Sequence, residues 1–348
     1  MASVKWSVPS NIALIKYWGK SNGQIPNNPS LSLTLHKART ETIIEYSKKK
    51  ENSQTIACEL YFEGKKNLMF QERVTRFLSS IRSYFSFLDE QQLTIRTENT
   101  FPHSTGIASS ASAFGSFALS LCTIEEKLLG RRSEDRNEIW WQKASEIARL
   151  GSGSAGRSVF GGVNVWGEHA QIKGSTAKWS TQLDSSALHR SMQNLNDAIL
   201  LVDSKPKSVS STAGHELMNG HPFANARYHK AHENLSLLWR AIRSGDKKEF
   251  IDLVESEALT LHGLMMSSMP PYLLIRSNTL KIIESIQKFR AKTGHFLCFT
   301  LDAGPNIHLI YGADAKRPVE DFIREELLCY CENGQWFQDY VGIGPVEG

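Results

Sequence analysis

Hydrophobic and polar residues alternate in the first part of the chain and adopt helical spacing farther on. Residues 11–17 form a mostly apolar run, and residues 31–35 read Leu-Ser-Leu-Thr-Leu, the period of two that is typical of a half-buried strand. Residues 40–46 have the same character, and the Pro-Asn-Asn-Pro cluster at 26–29 predicts a loop. The first third of the chain is therefore predicted to be rich in strands.

Helical spacing begins near residue 68 and dominates the second half of the chain. Apolar positions three and four residues apart predict helices at 68–88, 107–129, 138–150, 223–243, 246–264, 277–291 and 317–331. Apolar runs predict further strands at 162–166, 198–202, 296–301 and 307–311. Strands and helices that mix without a regular βαβα alternation indicate the α+β class, with two layers in each domain.

A polar, weakly patterned stretch at residues 167–195 indicates a junction between two domains. The chain of 348 residues is long enough for two domains of ordinary size. We therefore predict an N-terminal domain over residues 1–187 and a C-terminal domain over residues 188–348.

Charge and cysteine content argue against several classes of protein. Lys and Arg number 40 and Asp and Glu 36, and the net charge of +4 is too small to indicate a nucleic-acid binder. It suits an anionic small substrate if the cations converge in one cleft. No apolar run reaches about 18 residues, so we expect no membrane association. Five scattered cysteines and no signal-peptide pattern favour a cytoplasmic location.

The strongest candidate for chemistry is a Gly/Ser-rich segment, residues 101–115, that leads into a predicted helix. A helix N-terminus carries unpaired N–H groups and a partial positive charge, so it can hold phosphate. Ser109 and Ser110 could add hydroxyl contacts to phosphate or Mg²⁺. The absence of a following Gly-Lys-Ser/Thr excludes a Walker A loop. A serine-capped helix after a Pro/Gly turn explains the same pattern about equally well.

A second Gly/Ser segment, residues 151–158, reads Gly-Ser-Gly-Ser-Ala-Gly-Arg-Ser and suits an anion cradle. Arg157 can bind a carboxylate or a phosphate through two parallel N–H bonds. The alternative is a flexible loop with an exposed arginine. The tight alternation of Gly and Ser favours the anion cradle only slightly.

Two predicted strand ends carry charged residues. Lys16 interrupts an apolar strand, where a lysine is unfavourable unless it is paired, so we predict that it faces a cleft. It could instead reach the surface from the strand end, and for Lys20 this second interpretation is favoured. Asp302 follows an apolar strand and precedes an Ala-Gly-Pro turn, where catalytic carboxylates often lie. An ordinary turn aspartate is favoured there by roughly two to one.

A loose cluster of four histidines follows the domain junction. His215, His221, His229 and His232 have none of the spacings of a zinc site, so we expect no metal there. His229 and His232 are predicted to lie on a polar helix face. The serines at 210–211 are predicted to start a helix by capping, with contact to a ligand phosphate as the alternative.

Taken in order, these segments resemble the GHMP kinase superfamily and, within it, the diphosphomevalonate decarboxylase family. The segments that carry the resemblance are 11–20 (NIALIKYWGK), 29–35 (PSLSLTL), 101–111, 151–158 (GSGSAGRS) and 301–306 (LDAGPN). Each motif alone is of weak to moderate specificity, but all five in the same order rarely occur by chance. The resemblance covers nearly the whole chain.

The resemblance implies a reaction, a cofactor and a fold. The family converts ATP and (R)-5-diphosphomevalonate to isopentenyl diphosphate, CO₂, ADP and phosphate, with Mg²⁺ as the metal and a homodimer as the usual assembly. The implied fold is a ribosomal-protein-S5-like N-terminal domain and a ferredoxin-like C-terminal domain with the active site between them. ATP and 5-diphosphomevalonate are thus the expected ligands, with neither nucleic acid nor a membrane as a partner.

The resemblance also implies roles for individual residues. Asp302 matches an aspartate that orients or deprotonates the C3 hydroxyl, Lys16 a lysine beside it, and Arg157 an arginine that holds the substrate carboxylate. The other implied substrate-binding positions are Asn11, Tyr17, Lys20, Ser152, Ser154 and Ser211. The implied ATP-phosphate positions are Gly106, Ala108, Ser109 and Ser110, of which Ser110 is also the expected metal ligand.

The sequence departs from the common pattern of this family at three positions. Gly156 stands where cysteine is frequent, and Pro29 stands where Asp, Asn or Ser is frequent. Thr212 replaces a basic residue that some members have, which leaves open how the outer phosphate of the substrate is neutralised. Arg73 and Arg76 are candidates for that task.

Two other functions remain open on sequence grounds. A superfamily kinase that only phosphorylates mevalonate or phosphomevalonate would share the phosphate loop, but the combination of Asp302, Lys16 and Arg157 argues against it. A non-catalytic nucleotide-binding or RNA-binding module is suggested by the S5-like fold. The small net charge without a basic stripe argues against that module.

Overall fold

A computed structural model describes residues 2–50, 55–101, 107–205 and 208–348. Within these ranges the strands are β1 (Ala2–Ile15), β2 (Lys20–Ser21), β3 (Ile25–Pro26), β4 (Ser30–Lys48), β5 (Ala57–Phe62), β6 (Lys65–Lys66), β7 (Gln91–Asn99), β8 (Val163–Trp166), β9 (Ser180–Gln182), β10 (Asn196–Leu200), β11 (Leu297–Thr300), β12 (Ile307–Tyr311), β13 (Trp336–Tyr340) and β14 (Val346–Glu347). The helices are α1 (Leu68–Ser80), α2 (Ser109–Leu128), α3 (Glu138–Gly151), α4 (Ser211–Glu216), α5 (Ala224–Ser244), α6 (Lys247–Met266), α7 (Ser277–Thr293) and α8 (Lys316–Phe322).

The first sheet is built around two long strands, β1 and β4, which pair antiparallel. Its strand order is β14–β1–β4–β7–β5–β6, and β8 pairs with the first half of β4 and with β9. Among the strands that the structure describes in this sheet, only β5 and β7 pair in parallel. The strands predicted at 31–35 and 40–46 are therefore two halves of one strand, which pairs with β8 at one end and with β7 at the other.

Helix α2 is buried on nearly all sides between the first sheet and α3. Its small residues permit this close packing, and two of its hydroxyls lie within hydrogen-bond distance of threonines on the sheet. Ser112 Oγ lies 2.6 Å from Thr40 Oγ1, and Ser116 Oγ lies 2.7 Å from Thr42 Oγ1, both on β4. This packing fixes the start of α2 at the end of the sheet where the cleft lies.

The second sheet is antiparallel, with the strand order β11–β12–β10–β13. Both of its faces are covered, because one packs on α7 and α8 and the other contributes to a core shared with α5, α6 and the first sheet. Burial on both faces explains the apolar run at 198–202, which begins in β10, and the mostly apolar residues of β11 and β12. The two large sheets and their helices, with the small β2–β3 pair beside them, confirm the predicted α+β class.

Several element boundaries differ from the sequence predictions. The helix predicted over 68–88 ends at Ser80, and 3-10 turns at 82–84 and 86–89 bury the remaining apolar residues. Strands β5, β7 and β13 were not predicted, because their outward positions carry polar and charged residues. The helix predicted over 317–331 is α8, followed by a π turn and a 3-10 turn.

The chain returns to the first sheet at its end, where β14 pairs with β1. The stretch 167–195, predicted as a junction, contains β9 and short 3-10 turns. The domain division at residue 188 stays a prediction. None of the helices in the described ranges is long and apolar enough to cross a bilayer.

Candidate active site

A cavity of about 410 Å³ lies where the end of β1, the start of α2, the Gly/Ser segment after α3, the helix α4 and the turn after β11 meet. The predicted site residues that line it are Lys16, Tyr17, Lys20, Ala108, Ser109, Ser110, Ser152, Ser154, Arg157, Ser211 and Asp302. Asn11 is not on the cavity wall, and Gly106 lies outside the described residues. Motifs far apart in the sequence therefore converge on one cleft.

Lys16 and Asp302 form an ion pair in this cleft. Lys16 Nζ lies 3.0 Å from Asp302 Oδ1 and also donates to the carbonyl of Ala13 at 2.6 Å. Lys16 is only 2 % exposed, whereas the Asp302 side chain is 30 % exposed. Burial lowers the pKa of Lys16, and the charge of Asp302 opposes that shift. The structure places Lys16 in the cleft and not at the surface.

The main chain of Lys16 is held by a buried pair of opposite charges. Glu257 on α6 accepts the Lys16 N–H at 2.9 Å, and Arg227 on α5 donates to the Lys16 carbonyl at 2.9 Å. Arg227 and Glu257 contact each other through two N–H···O bonds of 2.6 and 2.8 Å. Sequence reasoning missed both residues, since a charge on a predicted helix is usually solvent-exposed.

Arg157 is a buried cation whose guanidinium forms part of the cavity wall. Its Nε donates to Asn11 Oδ1 at 3.1 Å, and its Nη1 donates to Ser30 Oγ at 2.7 Å. Within the described part of the chain, no group accepts from Nη2, which leaves a donor for an anionic ligand. Burial lowers the pKa of Arg157 to about 10, so it stays charged at neutral pH. Asn11 thus orients the Arg157 guanidinium without itself lining the cavity.

The Gly/Ser segment after α3 is a compact 3-10 helix, Gly153–Val159. A side chain at Gly153 would lie 2.9 Å from the Tyr17 hydroxyl and 3.0 Å from the Trp166 ring. Glycine is therefore required by close approach to aromatic rings. Since Arg157 within this segment is buried, the interpretation as a flexible loop with an exposed arginine is wrong.

Helix α2 begins at Ser109 with Ala108 as its N-cap residue. The methyl group of Ala108 accepts no hydrogen bond, so a serine does not cap this helix as the alternative interpretation required. Ser109 and Ser110 line the cavity, and Ser110 Oγ lies 3.2 Å from Ser152 Oγ. The two Gly/Ser segments are thus in direct contact at the cleft.

The donors at the cleft fit a magnesium ion that arrives with a nucleotide. In the described ranges no group of three or more His, Cys, Asp or Glu residues could hold a metal. Mg²⁺ usually binds one or two protein oxygens and takes its other ligands from phosphates and water. The Ser110 hydroxyl and the Asp302 carboxylate are oxygen donors of this kind on the cavity wall.

Further cations and a phenol surround the other side of the cavity. Lys20 Nζ donates to Gln24 Oε1 at 2.8 Å, and Arg73 on α1 lines the cavity, whereas Arg76 does not. The buried Tyr17 hydroxyl has no hydrogen-bond partner among the described residues. Burial raises the pKa of Tyr17, so it is a proton donor at neutral pH. Lys205 also lines the cavity, although sequence reasoning gave it no role.

The four histidines of the predicted cluster do not converge. His215 lines the cavity, His221 is buried against the carbonyl of Leu264, and His229 and His232 lie exposed on α5 as expected. Ser210 caps α4 by accepting the Ala213 N–H at 3.2 Å, and Ser211 lines the cavity.

Two family models match the chain and together span most of it. Residues 8–177 match a diphosphomevalonate decarboxylase-like N-terminal domain, and residues 198–340 match a mevalonate 5-diphosphate decarboxylase C-terminal domain. The diphosphomevalonate decarboxylase of Schizosaccharomyces pombe is 26 % identical over 360 residues, which cover 98 % of this chain and 85 % of the relative.

Solved structures are similar over the full length of the chain. The mevalonate diphosphate decarboxylase from Enterococcus faecalis has a TM-score of 0.82 at 26 % identity, and the alignment covers 99 % of this chain and 98 % of that one. A structure of MDDEF in complex with MVAPP, AMPPCP and magnesium has a TM-score of 0.83 at 26 % identity with the same coverage. The similarity thus includes both sheets and the cleft that joins them.

Proposed function

The chain belongs to the diphosphomevalonate decarboxylase family, and we propose that it converts (R)-5-diphosphomevalonate and ATP to isopentenyl diphosphate, CO₂, ADP and phosphate. The predicted two-domain GHMP kinase fold is confirmed by the full-length structural similarity. The observation that carries the proposed activity is the Lys16–Asp302 ion pair, which shares one cleft with Arg157.

The first chemical step is phosphorylation of the tertiary C3 hydroxyl, a poor leaving group until it carries a phosphate. Asp302 accepts the hydroxyl proton as the oxygen forms a bond to the γ-phosphorus and the bond from that phosphorus to ADP breaks. Lys16 holds the Asp302 carboxylate and presents a positive charge beside the transferring group. The first turn of α2 and the hydroxyls of Ser109 and Ser110 bind the phosphates of ATP.

The second step is the loss of phosphate and CO₂. The C3–O bond breaks, positive character develops at C3, and the electrons of the bond between C1 and C2 form the new double bond as C1 leaves as CO₂. Among the described residues nothing accepts from Arg157 Nη2, so this nitrogen can donate to the departing carboxylate and orient it. Since Asn11 and Ser30 hold its other two nitrogens, the guanidinium is aimed before the substrate binds.

Magnesium, when bound with ATP, neutralises charge on the phosphates and polarises the transferred group. Ser110 is the residue that we propose as its protein ligand, because its hydroxyl lines the cavity. Tyr17, Lys20, Ser152, Ser154 and Ser211 line the cavity as donors for the substrate and its diphosphate. Arg73 lines the cavity and Arg76 does not. We therefore propose Arg73 as the cation that neutralises the outer phosphate in place of the basic residue that Thr212 replaces.

The test of this function is CO₂ release. The purified protein is incubated with ATP, Mg²⁺ and 5-diphosphomevalonate labelled at C1, and labelled CO₂ and ADP are measured together. We expect the two products in equal amounts. ADP formation with a stable phosphorylated product and no CO₂ would identify a kinase instead and would overturn the proposal.

We further propose a homodimer, a cytoplasmic location and a domain division near residue 188. The location is supported by the cysteines, none of which forms a disulfide in the described part of the chain. The division is supported by strands β10–β13, which form a sheet separate from the one that contains β1 and β4. Light scattering on the purified protein tests the dimer, and limited proteolysis near residue 188 tests the division.

A further inference from the structure

His215 lines the cleft but has no role in the proposed phosphorylation and decarboxylation steps. It lies on α4 and is 7 % exposed, with its imidazole between two aromatic rings. The ring centroids of Tyr17 and Trp18 lie 4.4 and 4.5 Å from that of His215. Gly214 permits this packing, since a side chain there would lie 2.5 Å from the Trp18 ring. The imidazole is therefore held in one place on the cavity wall.

One hydrogen bond determines which ring nitrogen carries the proton. The Gly19 N–H donates to His215 Nδ1 at 2.9 Å, so Nδ1 is an acceptor and the proton of the neutral ring is on Nε2. Gly19 has a φ of 98°, in the left-handed region that favours glycine, which gives its N–H this direction. Burial and the charge of Lys20 lower the pKa of His215 to about 3, so the ring is neutral at physiological pH.

His221 also accepts a main-chain N–H at Nδ1, but its Nε2–H already has a protein acceptor. Its Nδ1 accepts the Phe223 N–H at 3.1 Å, and its Nε2 lies 3.0 Å from the carbonyl of Leu264. For His215 Nε2, the described residues supply no such acceptor, and the ring lines the cavity. His215 therefore presents an N–H donor to a ligand, beside the phenol of Tyr17.

We propose that His215 donates its Nε2–H to an anionic oxygen of the substrate diphosphate and helps to select diphosphorylated over monophosphorylated mevalonate. The identity of this ligand rests on the proposed function. A neutral donor suits this position, because Lys20, Arg73 and Lys205 already line the cavity and a further cation would repel them. Hydrogen bonds to charged groups are among the stronger ones in proteins, so the contact affects affinity measurably.

Two variants at one position separate the loss of the donor from the loss of packing. His215→Leu removes the N–H and keeps an apolar filling, whereas His215→Gln keeps an amide N–H near the place of Nε2. We expect His215→Leu to weaken binding of 5-diphosphomevalonate in calorimetry by roughly 10- to 100-fold. His215→Gln should stay within about threefold of the wild type, and neither variant should change the affinity for ATP alone.

His221→Leu is the matched control, since it removes a buried histidine of the same tautomer away from the cavity. It should lower the melting temperature and leave substrate affinity unchanged. Wild-type affinity in His215→Leu would overturn the proposal. Equal weakening in His215→Leu and His215→Gln would also overturn it, because it would show a packing role.

Pyrophosphate as a second probe separates this proposal from the proposed function. We expect the wild type to bind pyrophosphate more tightly than His215→Leu does, and phosphate with little difference between the two. If this difference is found while 5-diphosphomevalonate does not bind, the anion site stands and the proposed function is wrong. If pyrophosphate binding does not depend on His215, the anion site is wrong whatever the reaction.

Discussion

Lys16 Nζ lies 3.0 Å from Asp302 Oδ1, although 286 residues separate the two along the chain. The lysine follows a strand of the first sheet, and the aspartate follows a strand of the second. Asp302 favours the charged form of the buried lysine, because it raises the pKa of Lys16 against the effect of burial. This pair joins the two sheets at the place where the chemistry is proposed to occur.

Asp302→Asn should nearly abolish CO₂ release. An amide cannot accept the hydroxyl proton, so we expect kcat to fall by about 10²- to 10⁴-fold, the usual contribution of a positioned base. Steady-state assays of labelled CO₂ measure it. Asp314→Asn, which removes an exposed carboxylate paired with Lys247, is the control and should leave kcat unchanged. Normal CO₂ release by Asp302→Asn would show that the assigned role is wrong.

Arg157→Lys should lower kcat/KM for 5-diphosphomevalonate by roughly 10- to 100-fold, because lysine keeps the charge but lacks the planar fork. Asn11→Ala should have a smaller effect in the same direction, since it removes only the bond that aims the guanidinium. Arg240→Lys, in an exposed pair with Glu249, is the control. Wild-type kcat/KM in Arg157→Lys would contradict the role in carboxylate binding.

Glu257→Gln should shift the pH dependence of the reaction. Glu257 raises the pKa of Lys16, so its neutralisation lowers that pKa, and Lys16 loses its proton at a lower pH. We therefore expect the alkaline limb of kcat/KM to move to lower pH in a profile measured from about pH 7 to 10. The variant also leaves Arg227 buried without its partner, which should reduce the free energy of unfolding by about 3–5 kcal/mol.

The control for this variant is Glu249→Gln, which breaks a pair with the exposed Arg240. It should reduce the free energy of unfolding by less than about 1 kcal/mol and leave the alkaline limb in place. If Glu257→Gln is destabilised but its alkaline limb does not move, Glu257 is only a structural residue.

Gly153→Ala should disturb the substrate site through Tyr17. The added methyl group would lie 2.9 Å from the Tyr17 hydroxyl, so the ring must shift. We expect KM for 5-diphosphomevalonate to rise and the free energy of unfolding to fall by about 1–3 kcal/mol. Gly263→Ala is the control, because Gly263 lies in α6 with open space around it. That variant should be neutral or more stable by up to about 1 kcal/mol, with an unchanged KM.

Local patterns predicted the elements whose burial is regular along the chain. The apolar runs of β10, β11 and β12 and the periodic faces of α3, α5, α6 and α7 were predicted close to their observed bounds. Strands β5, β7 and β13 were not predicted, because their burial depends on which other element of the fold covers one face of the strand. The end of α1 was also misplaced, since apolar spacing continues into the 3-10 turns that follow it.

The motifs, their order and the residue types that suit anionic ligands could all be identified from the amino-acid sequence alone. From sequence, Lys16, Arg157 and Asp302 could each have had a purely structural role, because a local segment does not show which residues contact it in the fold. The folded structure was needed to show that these residues share a cleft and that Arg227 and Glu257 hold Lys16. It was also needed to show that no described residue accepts from His215 Nε2. Burial of a charge and its pairing with another depend on segments that meet only in the folded chain.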